Sequence, residues 1–222
     1  MTQHPPLEEY LETVLELLED GVVVTQARLA DRLGYSAPTV SQMVRRLVAE
    51  GYLEVDNRVV ALTESGRSEA ERVVRKHRLA ERLLTDVIGL AWDKAHEEAG
   101  RWEHVISDEV EALLVTLLGN PSTCPHGNPI PGAPLNPKVL TALAGCVTGD
   151  RVRLERVTEQ VEVDQDALSY LADHGFVPGA DAQVRTRAPD GTLVLELDGG
   201  SIAVGPALAA QLFVAAATPT PA

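Results

Sequence analysis

The chain has 222 residues, 45% hydrophobic and 4% aromatic, enough apolar material for one large or two small cores and too much for a disordered tail. Nineteen Lys and Arg against 33 Asp and Glu give a formal charge of −14, so binding to an anionic partner has to use a local patch rather than overall attraction. Two cysteines, Cys124 and Cys146, exclude a disulfide framework and fit a reducing cytoplasm, and neither a leader at Met1 to Pro6 nor a spanning helix is expected.

From Leu7 to Leu18 apolar residues recur at helical spacing (Leu7, Tyr10, Leu11, Val14, Leu15, Leu18), which predicts an amphipathic helix stopped near Gly21. Thr25 is the expected N-cap of a second helix through Leu33, with Gly34 just past its end. Ser36 caps a third, Pro38 is tolerated in its first turn, and Val40, Met43, Val44 and Leu47 form its inward stripe before Gly51. Two short strands, Tyr52 to Val55 and Val59 to Leu62, then flank the polar turn Asp56-Asn57-Arg58. A hairpin placed after a helix-turn-helix reads as a wing.

Helices are expected from about Glu64 to Ile88, over Asp93 to Val105, and from an Asp108 cap through Leu118. Pro121, Pro125, Pro129, Pro131, Pro134 and Pro137 exclude a helix in that stretch and predict an extended, partly polyproline-like interdomain linker. Beyond it, short runs beginning at Asp150, Ala182, Thr192 and Gly200, separated by Gly-rich turns, read as a small β-barrel with one helical turn around Ala167 to His174. The fold class is mainly α with a small all-β domain: a winged helix-turn-helix over residues 1–66, a helical domain over 67–120, a proline-rich linker over 121–137 and the barrel over 138–222.

In a helix-turn-helix the second helix enters the major groove with its N-terminal residues on base edges. Gln42 is suited to an adenine edge, Thr39 and Ser41 to bases or phosphates, and Ala37 and Pro38 to a thymine methyl. Arg45, Arg46 and Arg58 suit the phosphate backbone, and Thr25, Arg28 and Ser36 complete the DNA-facing set. Because the rest of the chain is acidic, DNA affinity is expected to be conditional, needing neutralised carboxylates or a second subunit.

His77 and Glu81 stand at i and i+4 on one helix face, and His96, Gly100, Glu103 and His104 share a face of the next. Imidazole with carboxylate oxygen suits manganese, iron, cobalt or zinc. Cys124-Pro-His126 adds a thiol and an imidazole two residues apart, too few ligands to make a site alone.

The segments Arg75 to Leu90, Arg101 to Glu111 and Gly127 to Gly132, with Ala37-Pro-Thr-Val-Ser-Gln42 in the recognition helix, closely resemble the diphtheria toxin repressor and iron-dependent regulator family, with the manganese transport regulators as relatives. The resemblance runs from about Leu7 to Gly132 and continues weakly through a C-terminal domain similar to the family's SH3-like, FeoA-like module. It implies a homodimeric, metal-activated repressor bound to double-stranded operator DNA, two dimers per operator being open, with no membrane and no organic cofactor. One family site matches Glu9, Glu103 and His104, with Gly100 standing where a ligand is usual. The other matches His77, Glu81 and His96, with the segment Glu162-Val-Asp164-Gln165 aligned to the two ligands lent by the barrel. In some manganese-type members that second site matches instead Glu81, Cys124, His126 and Asp164. A first site without sulfur favours the harder Mn(II), with Fe(II) second, while Zn(II), Co(II) and Cd(II) are expected to occupy the sites in vitro. Two other readings stay open at this point. One is a metal-independent winged-helix repressor sensing a small organic effector; the other is a metalloenzyme, for which no residue set offers a separate base or nucleophile.

Overall fold

Helical periodicity at the start of the chain builds α1 (Leu7–Glu19), with Tyr10, Leu11, Val14 and Leu15 buried. A computed structural model describes residues 7–134 and 138–217 and divides into two units, Met1–Lys76 and His77–Ala222. Met1 to Pro6, Pro137, Pro219 and Pro221 lie outside the described residues.

In the first unit, Thr25 accepts from the Arg28 amide at 3.3 Å to cap α2 (Gln26–Leu33), and Gly34 ends it with φ 68°. Ser36 caps α3 (Ala37–Ala49), with Pro38 in the first turn. The hairpin pairs β1 (Leu53–Asp56) with β2 (Val59–Leu62), so that Asp56 faces Val59 and only Asn57 and Arg58 turn, with φ 46° and 70°. Two left-handed residues are what a tight right-twisted hairpin requires, and this draws Asp56 into the ladder one residue beyond the expected strand. Leu29, Val40, Leu47, Leu53 and Val60 close the core over α1, together with Ala70 and Val74 of α4 (Glu64–Arg82).

The expected helix to Ile88 changes character at Leu83, where a π-helical segment, Leu83–Ile88, ends on Gly89. Thr85 donates its hydroxyl to the Glu81 carbonyl at 3.0 Å, a competitor of the regular ladder. A 3-10 turn, Trp92–Lys94, precedes α5 (Ala95–Trp102), which stops short of the predicted Val105. α6 (Asp108–Leu117) is capped by Ser107 rather than Asp108, because Ser107 has the extended backbone that lets its hydroxyl accept from the Val110 amide.

As far as Pro134, the proline-rich segment is not an extended spacer. Its amides close on themselves, Cys124 N to Asn128 O at 2.8 Å and Ile130 N to Ser122 O at 2.9 Å, burying Cys124, His126, Asn128 and Ile130. Gly127 makes this possible: φ is 91°, and a Cβ there would stand 1.9 Å from the Glu155 carbonyl oxygen.

The C-terminal part is an antiparallel sheet in the order β3 (Thr141–Ala142), β8 (Leu212–Ala216), β4 (Arg151–Val157), β5 (Asp181–Arg187), β6 (Leu193–Leu197), β7 (Gly200–Val204). It is less purely β than expected. α7 (Glu159–Glu162), α8 (Gln165–Asp173) and α9 (Pro206–Ala209) interrupt it, α8 being nine residues where one turn was predicted. α8 forms because Asp164 caps it and Leu168 and Leu171 are buried in one core with Leu154, Val184 and Val214.

Candidate metal centre

Within the second unit, α4 supplies His77 and Glu81, α5 supplies His96, the proline loop supplies Cys124 and His126, and α7 supplies Glu159 and Glu162. All are buried except His96, which is partly so. Glu81 Oε1 lies 3.3 Å from His77 Nε2, 3.4 Å from His96 Nδ1 and 3.1 Å from His126 Nδ1. Glu162 Oε2 lies 3.0 Å from His126 Nδ1 and 3.3 Å from His96 Nδ1.

Three of the outer atoms are fixed by other groups. His126 Nε2 donates to the Trp92 carbonyl at 3.2 Å, and the Trp92 ring tilts against the imidazole. Asn128 donates to Glu162 Oε1, and Arg78 donates to Glu159 Oε1 at 2.7 Å. The inward atoms, Glu81 Oε2, His126 Nδ1, Glu159 Oε2 and Glu162 Oε2, have no hydrogen-bond partner among the described residues. The short approaches of His126 Nδ1 to the two carboxylates are therefore misaligned for hydrogen bonding and convergent, which is how ligands surround an ion. Imidazole, carboxylate and thiol are also the donor set of a first-row divalent metal, so the residues fit one.

Burial opposes charge on the imidazoles, yet Glu162 and Glu81 hold His126 well above the ordinary value, and Glu103 and Glu81 do the same for His77. His96 is pushed up to about 9, against burial, by Glu162 and Glu81. Burial also works against the Glu81 carboxylate, but His126 and His77 hold it well below the usual range. Cys124 is pushed up to about 12 by burial and then by Glu81 and Glu162.

Several sequence-predicted ligands stand elsewhere. Asp164 caps α8, accepting from the Ala167 amide at 3.1 Å, and Gln165 donates to the Asp93 carbonyl at 3.0 Å. Neither belongs to the cluster. The acids present there are Glu162 and Glu159, spaced i and i+3 on α7; Glu159 was missed, although a Thr158 preceding an acidic Glu-x-x-Glu run was the available signal. Glu103 meets His77 Nδ1 at 2.5 Å and His104 Nε2 at 3.1 Å, so His77 touches residues that sequence assigned to two separate sites. Gly100 leaves open space at its Cβ position. Glu9 lies on α1 of the first unit.

On the first unit, Ser36, Ala37, Pro38, Gln42, Arg45, Arg46, Arg28 and the wing-tip Arg58 are exposed, and Thr25, Thr39 and Ser41 are half-buried. Thr25 and Ser36 are engaged as caps, and Arg46 pairs with Glu50 on its own helix at 2.8 Å.

Residues 4–59 match the family description "Iron dependent repressor, N-terminal DNA binding domain", residues 63–132 match "Iron dependent repressor, metal binding and dimerisation domain", and residues 141–216 match "FeoA domain". The chain is 45% identical over 205 residues to the iron-dependent repressor IdeR of Mycobacterium leprae, covering 86% of this chain and 88% of that one. It is 42% identical over 207 residues to the diphtheria toxin repressor of Corynebacterium diphtheriae, covering 88% and 90%. Among solved structures, it is similar to a manganese-dependent transcriptional repressor in complex with manganese, with TM-score 0.85, 31% identity and coverage of 95% and 100%. A second is ScaR with bound Zn2+, with TM-score 0.79, 30% identity and coverage of 96% and 100%.

Proposed function

The chain belongs to the iron-dependent repressor family of metal-dependent, DNA-binding transcriptional repressors, and we propose that it represses metal-homeostasis genes in the cytoplasm, with Mn(II) as preferred activator and Fe(II) second. The observation that carries the metal reading is the buried set Glu81, Cys124, His126 and Glu162, in which Glu81, His126 and Glu162 each keep an atom with no hydrogen-bond partner among the described residues. A metal-independent repressor sensing an organic effector leaves those buried groups without a function and is not favoured.

A divalent cation supplies the positive charge and directed bonds that hold these side chains together. Glu81 belongs to α4, His126 to the proline loop and Glu162 to α7, so loading ties three separate stretches of the second unit. His126 is oriented for this by Trp92, and Glu162 by Asn128. The family resemblance implies Glu9, Glu103 and His104 as a second ligand set, through which loading becomes DNA affinity. Without a sulfur ligand, that set is the reason for placing Mn(II) ahead of Fe(II).

The exposed face of α3 with the hairpin supports operator reading: Gln42 toward base edges, Arg45 and Arg58 toward phosphates. A homodimer is supported by apolar side chains left uncovered on α6, Leu113 at 64% and Leu117 at 63% exposure, beside Val110 and Val105. A dimer provides two recognition helices for two half-sites.

The test is fluorescence anisotropy with the protein's own promoter duplex, at fixed salt, titrated anaerobically with Mn(II), Fe(II) and Zn(II) against a chelated control. Affinity is expected to rise with metal, more with Mn(II) than with Fe(II), and to lose that rise in Glu81→Gln. Binding indifferent to every metal overturns the metal reading.

A further inference from the structure

We propose that the buried cluster is a two-ion centre, in which Cys124 and His126 hold one divalent cation, His77, His96 and Glu159 hold a second, and Glu81 and Glu162 are shared between them. It rests on the metal-dependent reading above and specifies its stoichiometry.

The ligand groups overlap instead of competing for one position. Glu81 belongs both to the group with Cys124, His126 and Glu162 and to the group with His77 and His96; Glu162 belongs to the first and also to the group with His96 and Glu159. In each group the ligand atoms lie within 4.8 Å of one another. Glu81 Oε1 meets imidazoles from both halves, His126 on one side and His77 and His96 on the other, while its second oxygen stays unpartnered. A carboxylate placed between two sets of nitrogen ligands, with an oxygen to spare, is positioned to bridge.

Satisfaction of buried polar atoms favours two ions over one. A single ion at Cys124 and His126 leaves Glu159 Oε2 buried without a partner; a single ion at His77 and His96 leaves His126 Nδ1 so. The surrounding contacts are arranged for both halves at once. Trp92 and Asn128 fix the outer atoms of His126 and Glu162, while Arg78 and Glu103 fix those of Glu159 and His77. The halves also differ in softness, thiolate with imidazole against imidazoles with carboxylates, so they differ in the metal each ranks first.

Shared carboxylates hold two metal ions about 3.5–4 Å apart, close enough for their unpaired electrons to couple. The experiment is electron paramagnetic resonance and bound-metal analysis on the full-length chain dialysed against Mn(II), with Co(II) absorption reporting the thiolate. Expected is an exchange-coupled Mn(II) pair in the parent chain. His96→Gln and Cys124→Ala, each checked for its fold by circular dichroism, should each lose one ion and leave an uncoupled signal, and Cys124→Ala should also lose the sulfur-to-cobalt band. A parent chain saturated with Mn(II) that shows only magnetically isolated ions overturns the two-ion centre while leaving a metal-dependent regulator. A parent chain that binds no Mn(II), Fe(II) or Co(II) overturns both.

Discussion

His126 Nδ1 and Glu162 Oε2 face each other at 3.0 Å, each held by its far atom, the imidazole by the Trp92 carbonyl and the carboxylate by Asn128. Among the described residues neither inward atom has a hydrogen-bond partner, so the pair is oriented toward a third party. Glu162→Gln keeps the shape and the Asn128 acceptor but removes the charge. Metal affinity of the cluster is expected to fall at least tenfold, measured by competition with a fluorescent chelator, with little change in the far-ultraviolet circular dichroism of the metal-free chain.

Metal loading competes with protons. With His96 at about 9 and Cys124 at about 12, both carry a proton at pH 7 that a metal must displace. Affinity should therefore fall as pH falls, by about tenfold per unit for each proton displaced. Calorimetry in two buffers of different ionisation enthalpy should show net proton release, reduced in Cys124→Ala. In the metal-free chain the sign is opposite. The raised pKa of His96 stabilises the fold fully below the unfolded value of about 6.5, and that contribution is lost as pH rises through about 9.

Gly100 sits inside α5 with open space where a Cβ would be. Gly100→Ala should raise stability by about 0.5–1 kcal/mol, because glycine loses more conformational freedom in a helix. Gly100→Cys should add a ligand beside Glu103 and His104 and shift selectivity toward softer ions, so that Zn(II) affinity gains more than Mn(II) affinity relative to the alanine variant. Thermal unfolding and metal competition check the two separately.

Gln42 and Arg45 are both exposed on α3, yet their replacement should differ in kind. Gln42→Ala is expected to cost about 1–3 kcal/mol at the matched operator and to relax specificity at one base pair. Arg45→Ala should weaken all duplexes alike and lower the salt-dependence slope by about 1. Anisotropy with matched and mismatched duplexes over a salt series separates them.

Leu113→Asp places a charge in the exposed apolar face of α6. Sedimentation should show loss of the dimer, and metal-stimulated operator binding should fall with it, since each recognition helix then reads one half-site alone.

Local chemistry alone determined much of the chain. Thr25, Ser36 and Gly34 announced the helix ends of the winged unit because capping depends on a few adjacent residues, and the i, i+4 spacing placed His77 and Glu81 on one face because helical geometry is fixed. Tertiary structure decided what comes together across long stretches. Sequence could not choose between His77, Glu81 and His96 or Glu81, Cys124 and His126; packing brings both sets around Glu81. It took the prolines as a spacer because proline excludes helix, whereas Gly127 lets the Glu155 carbonyl approach and folds the loop inward with Cys124 and His126. It assigned Asp164 and Gln165 to the metal, but the backbone amide of Ala167 and the Asp93 carbonyl claim them. Which of several nearby acids turns inward depends on the partners of the others, and those partners are distant in sequence.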